Sequence, residues 1–208
     1  MTVVSELETK LRAAVEALPP GLRDHVLRVE VEAIRLAERY GVDKERSRIA
    51  VLGHDLVRHK SDRELLDLAT EYDLRPDSVE QAMPILIHGP VATRMLLRDY
   101  AFDDPEILAG IDCHTTARAG MSLLEKVLFI ADKIEPHKLI RSPAWQEVRD
   151  LSKHDLDRAL LRFIDLRIEE SLKERLPIHP RSVDARNELL LITASPGSYK
   201  ERHEGLQR

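Results

Sequence analysis

Apolar residues recur along most of this chain at steps of three and four, which is the period of an α-helix. In the segment 22–40, for example, Val26, Val29, Ala33 and Ala37 would share one face of a helix. Sustained alternation with a period of two, which is typical of a half-buried β-strand, is scarce. The pattern therefore predicts an all-α protein.

Capping residues, glycines and prolines divide this pattern into separate helices. Ser61-Asp62-Arg63-Glu64, for example, is a capping box, in which a serine and a glutamate satisfy the first free amides of a helix. The first predicted helices are 4–18, 22–40, one that starts at Asp43 and carries His54 and Asp55, one that starts at Ser61 and one that starts at Asp77. The later ones are Pro90 to Tyr100, one that starts at Asp104, Ser122 to Ile134, a short helix that contains Trp145, 153–175 and 183–192.

The spacing of these helices indicates one domain. The chain has 208 residues, enough for one sizeable core, and contains no internal repeat and no linker-like stretch in its middle. We expect an N-terminal helix and turn over residues 1–21, a single helical bundle over 22–194, and a flexible C-terminal tail over 195–208, where Pro-Gly-Ser is followed by mixed charge.

Composition narrows the class of function. Apolar residues make up 43% of the chain, charged residues 33%, and the net charge is −5, so no general basic surface for nucleic acid is expected. Cys113 is the single cysteine, which fits a reducing compartment. No signal pattern and no segment of 18 apolar residues is present, so we expect a cytoplasmic protein without a membrane span. A polyanionic small molecule would need a local basic pocket.

A histidine and an aspartate stand side by side in the apolar run 49–57, as His54 and Asp55. Imidazole nitrogen and carboxylate oxygen are good ligands for first-row divalent metals, and a small ion near the helix can meet both side chains. A buried, hydrogen-bonded His-Asp pair is the alternative, and it is the commoner explanation of an isolated dipeptide. The positions of the other histidines and aspartates therefore decide the interpretation.

Four more potential ligands fall at inward positions or at the mouths of other predicted helices. Asp132, for example, continues the four-residue steps of Leu124 and Leu128, so it should point into the core. Burying an unpaired carboxylate there would cost much free energy. Two carboxylates and four imidazoles could hold one six-coordinate ion, or two ions that share a carboxylate. The complete candidate set is His25, His54, Asp55, His88, His114 and Asp132.

The remaining histidines are interpreted as peripheral. His154-Asp155 repeats the dipeptide, but it falls at the start of a helix, where Asp155 suits the helix dipole and His154 would be solvated. Polar or terminal surroundings predict surface positions for His59, His137, His179 and His203.

The order of His25, His54-Asp55 and Asp132 resembles that of HD-domain metal-dependent phosphohydrolases. Longer segments narrow the resemblance to the bacterial HD proteins that hydrolyse diadenosine tetraphosphate symmetrically, and it covers roughly residues 22–192. The segments that carry it are AVLGHDLVR, HGPVATRML, IDCHTTARAGMSLLEKVLFIADKIEPHK and RSVDARNELLL.

The resemblance implies a role for each matching position. It implies iron, as one or two ions, with manganese and other first-row metals as alternatives, held by His25, His54, Asp55 and Asp132, while His88 and His114 bind a second ion or the phosphates. The implied catalytic residues are His54, Asp55, His88, His114 and Arg58. The implied substrate-binding residues are His25, Arg58, His88, His114, Thr115, Arg118, Asp132 and Lys138.

The implied activity is cleavage of diadenosine tetraphosphate into two ADP by a metal-activated water. Arg58 and Lys138 stand where the family usually has Lys and Arg, and Ala117 and Ala119 replace Gly and Pro in the His-Thr-Thr loop, which bears on substrate preference more than on the metal. Another nucleotide substrate (a nucleoside mono- or triphosphate or a guanosine alarmone) and a nucleotide- or metal-sensing module with little turnover are the alternatives. None of the eight aromatic residues is obviously poised to stack a base.

The expected partner is therefore a small nucleotide. The predicted long helix 153–175 carries apolar residues beyond one narrow stripe, which permits a homodimer without requiring one.

Overall fold

A computed structural model describes residues 3–193, and these form an all-α bundle without a β-strand, as the sequence pattern predicts. The tail predicted for 195–208 lies outside the described residues. Short 3₁₀ helices occupy Pro84–Ile87 and Pro143–Trp145. The α-helices are α1 (Val3–Glu16), α2 (Pro20–Tyr40), α3 (Lys44–His54), α4 (Asp62–Glu71), α5 (Ser78–Ala82), α6 (His88–Asp99), α7 (Pro105–Cys113), α8 (Leu123–Ile134), α9 (Pro136–Arg141), α10 (Gln146–Leu151), α11 (Leu156–Glu174) and α12 (Pro180–Thr193).

Several helices begin at prolines that the sequence pattern treated as breaks. Pro20, Pro136 and Pro180 are the first residues of α2, α9 and α12. Proline suits this position because the first amide of a helix has no intrahelical acceptor in any case. The predicted starts of α2 and α12 were therefore two and three residues late, and α9 was not predicted.

The helix that was expected to carry both His54 and Asp55 is shorter than predicted. α3 ends at His54, and Asp55 caps it with φ −113° and ψ 16°, outside helical geometry. A turn follows, in which the Arg58 amide donates to the Asp55 carbonyl at 3.1 Å. Because Asp55 lies outside the helix, the direction of its side chain is not fixed by helical geometry.

α8 lies at the centre of the bundle and packs against α2, α7 and α11, while α3 packs against α2, α6 and α7. Leu124, Leu128 and Asp132 of α8 are all buried, which confirms the inward stripe predicted from their spacing. The arrangement brings the helices that carry the candidate ligands into mutual contact.

The N-terminal helix joins the same core. Leu7, Leu11 and Val15 of α1 are buried, and α1 packs against α2 and α3. The domain limits at residues 22 and 194 stay predictions. Within residues 3–193, no helix is long and apolar enough to cross a membrane.

Candidate metal centre and its cavities

Six buried side chains from five helices or their ends meet in one place. Each has lost nearly all contact with solvent, the most exposed being His25 at 5%. They are His25 of α2, His54 and the following Asp55 of α3, His88 at the start of α6, His114 directly after α7, and Asp132 of α8.

Asp55 divides this set into two groups through its two carboxylate oxygens. Oδ2 lies 3.4 Å from Nε2 of His25 and 3.3 Å from Nε2 of His54. Oδ1 lies 3.0 Å from Nε2 of His88 and 3.4 Å from Nε2 of His114. Each group by itself brings three potential ligand atoms within reach of one ion.

Asp132 adds a second carboxylate to the first group. Its Oδ1 lies 3.0 Å from Nε2 of His25 and 4.0 Å from Nε2 of His54. Two ammonium groups also hold this aspartate: Lys133 Nζ is 2.5 Å from Oδ2, and Lys138 Nζ is 2.5 Å from Oδ1. Lys138 therefore lies among the potential ligands, and it would have to exchange this partner to contact a substrate.

Hydrogen bonds to the backbone set the protonation pattern of three imidazoles. Nδ1 of His54, His88 and His114 lies 2.6, 2.5 and 2.7 Å, respectively, from the carbonyl oxygen three residues earlier. A carbonyl can only accept, so Nδ1 carries the hydrogen and a neutral ring keeps a lone pair on Nε2. All three Nε2 atoms lie within 3.4 Å of a carboxylate oxygen of Asp55.

These contacts are unfavourable unless a metal ion or a proton lies between the nitrogen and oxygen atoms. Nε2 of His25 and Nε2 of His54 are buried without a hydrogen-bond partner of proper geometry, although carboxylate oxygens are close. The Nε2 atoms of His88 and His114 face one another at 2.9 Å. Buried lone pairs and carboxylates that point at a common space repel each other, whereas a divalent ion would satisfy all of them. The cluster fits a divalent metal.

The pKa shifts describe the cluster without an ion. Burial raises the pKa of Asp55 and Asp132, but His54 and Lys133, respectively, are the chief neighbours that overcome burial and lower both pKa values well below the usual range. Burial lowers the pKa of His25, but Asp132 outweighs burial, and the pKa rises to about 10. Burial is the main reason that the pKa of His114 falls to about 3. In the metal-free centre, anionic carboxylates therefore face the protonated imidazole of His25.

A glutamate outside the predicted set orients His25. Glu135 Oε1 lies 3.4 Å from Nδ1 of His25, and Arg28 donates to Glu135 Oε2 at 2.6 Å. Burial raises the pKa of Glu135, but His25 and Arg28 outweigh burial, and the pKa is about 2. The sequence pattern did not predict this role, although Glu135 belongs to the motif that suggested the family and directly follows α8.

A glycine explains how His88 reaches the centre. A Cβ atom on Gly89 would lie 2.5 Å from the carbonyl oxygen of Ile111 and 3.1 Å from Nδ1 of His114. Only glycine permits this close approach of α6 to the end of α7. Because His88 precedes Gly89, the approach brings the two imidazoles together.

Two cavities flank the centre and share the side chains of Arg58 and Lys138. One, which we call the aromatic cavity because Trp145 and Phe163 line it, has a volume of about 260 Å³ and reaches Asp55, His88, His114 and Asp132. It is also lined by Leu86, Thr115, Lys133, Trp145, Phe163 and Arg167. The basic cavity has a volume of about 360 Å³ on the His25 side. It is lined by Leu22, Asp24, Arg28, Glu135, His137 and Arg141.

The structure brings the other predicted substrate residues to these cavities in all cases but one. Arg58 lies with Nη1 3.5 Å from Asp55 Oδ2, and Thr115 donates its hydroxyl to the Leu86 carbonyl at 3.1 Å. Arg118 instead pairs with the buried Glu125 at 2.5 Å and lines neither cavity. Lys133 was not predicted, because its burial beside Asp132 depends on the packing of α8.

One histidine lies elsewhere than predicted. His59, His137 and His154 are exposed, as expected, and His203 lies outside the described residues. His179 was predicted at the surface but is 7% exposed. It begins the turn before α12 and faces Asp77 and Glu80, with Nε2 3.8 Å from Asp77 Oδ2 and 3.5 Å from Glu80 Oε1. We call these three residues the distal cluster.

Fold and cluster together define an all-α protein with a buried His/Asp cluster that fits a divalent metal, and comparison with known proteins gives its family. Residues 22–137 match the model of the HD domain. The chain belongs to the HD-domain family and shares it with curated relatives named symmetrical bis(5'-nucleosyl)-tetraphosphatase. The relative from Bacillus subtilis (strain 168) is 35% identical over 75% of this chain and 82% of its own length.

A second relative of that name, from Halalkalibacterium halodurans, is 32% identical over 86% of this chain and 96% of its own. Among solved structures, a predicted HD superfamily hydrolase from Clostridium acetobutylicum, described as involved in NAD metabolism, is similar with a TM-score of 0.83 and 30% identity. That match covers 89% of this chain and 97% of the other. These findings confirm the predicted family and fold.

Proposed function

We propose that this protein hydrolyses diadenosine tetraphosphate symmetrically, releasing two ADP, with the help of a bound divalent metal. The relatives that carry this activity in their names support the substrate. The observation that carries the proposal is the convergence of four buried imidazoles on the two oxygens of Asp55, with unpartnered Nε2 atoms on both His25 and His54.

The proposed ligands form two groups that share Asp55. His25, His54 and Asp132 would hold one ion, and His88 with His114 would hold a second. A bound divalent ion supplies a Lewis acid for the phosphoryl group and an activated water. Imidazole and carboxylate ligands suit iron, which we propose as the native metal, and they also suit manganese and other first-row metals.

Cationic side chains would neutralise the polyphosphate. Arg58 and Lys138 line both cavities, so they border whichever part of a substrate lies across the metal centre. Arg58 offers a planar fork that grips a phosphate through two N–H groups, whereas Lys138 offers a compact charge. Lys133 is held against Asp132 and donates to the His114 carbonyl at 3.1 Å, so its proposed role is to hold ligands in position.

The two cavities offer a reason for symmetrical cleavage. A substrate with a nucleoside at each end needs room on both sides of the bond that breaks, and the metal centre lies between two cavities joined at Arg58 and Lys138. With one nucleoside diphosphate in each cavity, the central phosphoanhydride bond would lie over Asp55. Cleavage there leaves two ADP.

The products of diadenosine tetraphosphate cleavage test this proposal. We expect ADP alone from protein loaded with iron or manganese, and no turnover after the metal is removed by a chelator. AMP together with ATP would show asymmetric cleavage and contradict the proposal. Deoxynucleotides and guanosine alarmones assayed in parallel with the same metals separate it from the other HD phosphohydrolase activities, and binding without any turnover would identify a sensor.

Three further features are proposed with this function. We propose a bundle over 22–194 as the catalytic unit, a cytoplasmic location, and a homodimer. Size-exclusion chromatography with light scattering tests the homodimer.

A further inference from the structure

The two cavities beside the metal centre differ in chemical character. The aromatic cavity is lined by the rings of Trp145 and Phe163 and by Arg167. The basic cavity has Arg28, Arg141 and His137, and no Phe, Tyr or Trp is among the described residues that line it. A symmetrical dinucleotide would therefore meet two unlike binding surfaces.

The ring of Trp145 is fixed in position without being enclosed. It packs edge-to-face on Phe163, with ring centroids 5.0 Å apart and planes at 73°. Phe163 packs in the same manner on Phe129, at 5.5 Å and 79°, and Phe129 is fully buried. This chain of rings holds Trp145 against the core, while the half-buried indole lines the cavity.

We infer that Trp145 is the stacking surface for one nucleobase and that the other nucleoside end is held through its phosphates alone. Every nucleobase has a π-face that stacks on an indole ring, and such a contact tolerates different bases. The cations at Arg58 and Lys138 lie between this ring and the basic cavity, where the polyphosphate would run. This inference rests on the proposed function and names how that site recognises its substrate.

The unequal cavities define a substrate class. One nucleobase and a chain of at least four phosphates satisfy both surfaces, since the basic cavity has no aromatic ring to recognise a second base. Nucleoside tetraphosphates with a single base should therefore be cleaved to a nucleoside diphosphate and pyrophosphate, at a rate comparable to that of the dinucleotide. This step consumes one water molecule and breaks the central phosphoanhydride bond.

Intrinsic fluorescence tests the stacking directly, because Trp145 is the single tryptophan of the chain. We would titrate the metal-loaded protein with ADP and, separately, with inorganic tripolyphosphate. Stacking of adenine predicts quenching or a spectral shift with ADP and little change with tripolyphosphate, although both compete with diadenosine tetraphosphate. Equal responses to both probes, or no response to ADP at concentrations that inhibit turnover, would overturn the inference.

Two variants separate stacking from a structural role. Replacing an aromatic platform by alanine weakens binding of a base roughly tenfold, so we expect Trp145→Ala to raise KM for diadenosine tetraphosphate by about that factor and to leave kcat nearly unchanged. Trp145→Phe should restore most of the affinity. The affinity for tripolyphosphate should be the same in both variants, whereas a general disturbance of the cavity would lower it in Trp145→Ala.

The outcome for this inference is distinguishable from that for the proposed function. Symmetrical cleavage to ADP by a protein whose tryptophan ignores ADP would refute the stacking and leave the activity standing. ADP-dependent quenching without hydrolysis of diadenosine tetraphosphate would support the base-binding surface and refute the proposed reaction.

Discussion

The metal centre and the distal cluster of Asp77, Glu80 and His179 both combine imidazoles with carboxylates but differ in their hydrogen bonds. Both have a buried histidine whose Nε2 has no hydrogen-bond partner and faces carboxylates. In the metal centre, Nδ1 of His54 lies against a carbonyl, which accepts. In the distal cluster, Nδ1 of His179 accepts from the amide of Arg181 at 3.1 Å.

This difference decides which nitrogen can bind a metal. When Nδ1 accepts an N–H group, a neutral imidazole must carry its hydrogen on Nε2, which then has no lone pair for an ion. The carboxylates of the distal cluster are also engaged, because Asp77 and Glu80 form the capping box of α5. Proximity of His, Asp and Glu is therefore insufficient, and the backbone partner of each imidazole separates the metal centre from the distal cluster.

The largest effect should come from the residue that both groups of ligands share. We expect Asp55→Asn to lose all bound metal. Loss of a residue that only orients a ligand reduces activity by up to roughly a hundredfold, and the loss of turnover in Asp55→Asn should be larger than that. Asp77→Asn is the matched control and should retain the metal content and turnover of the wild type. Metal analysis of both purified proteins, with circular dichroism as a check of folding, gives the answer. A full complement of metal in Asp55→Asn would break the comparison.

A smaller effect is expected from a histidine of one group. His88→Gln removes a ligand on the Oδ1 side of Asp55 and should lower the number of bound ions per chain by one, with a partial loss of activity. His179→Gln is the control: it should bind metal as the wild type does, and lose on the order of 1 kcal/mol of stability because the Arg181 amide loses its imidazole acceptor. A reduced metal content in His179→Gln would show that the distal cluster also holds an ion.

A smaller effect again, on metal affinity alone, is expected from Glu135, which orients His25. Glu135→Gln keeps the shape of the side chain but weakens its hold on Nδ1 of His25, so we expect metal affinity to fall about 10- to 100-fold. Glu80→Gln provides the control in the distal cluster and should leave metal affinity unchanged. Competition with a chromogenic chelator measures both. An unchanged affinity in Glu135→Gln would remove Glu135 from the metal centre.

The smallest effect concerns pH. Because the pKa of His25 is raised from 6.5 to about 10 in the metal-free protein, its contribution to stability is complete below pH 6.5 and is lost as the pH rises through about 10. Lys133, whose burial lowers its pKa to about 8, acts in the opposite direction from pH 8 upward, so His25→Gln is needed as the reference. The metal-free stability difference between wild type and His25→Gln should shrink over this range. A difference independent of pH would contradict the assignment.

The candidate ligands could be predicted because local patterns place them. Asp132 continues a stripe of leucines on α8, and His25, His54 and Asp55 follow the order of a known family. The sharing of Asp55 could not be predicted, since it depends on α3 ending at His54 and on the close approach at Gly89.

Other features depend on packing between distant segments. His179 looks polar and exposed in the sequence, but the start of α12 buries it against Asp77 and Glu80. Arg118 belongs to a motif that suggests phosphate binding, yet the buried Glu125 holds it away from both cavities. Neither pairing is indicated by any period or spacing in the sequence.

The protonation state of each imidazole is the most direct test of the central claim. Long-range ¹H–¹⁵N correlation spectra of histidine-labelled protein, recorded with and without diamagnetic Zn²⁺, report which ring nitrogen carries hydrogen. We predict that Zn²⁺ shifts Nε2 of His25, His54, His88 and His114 while Nδ1 of each stays protonated, and that His179 keeps its hydrogen on Nε2 and does not respond. A response of His179, or Nδ1 binding by any of the other four, would contradict this account.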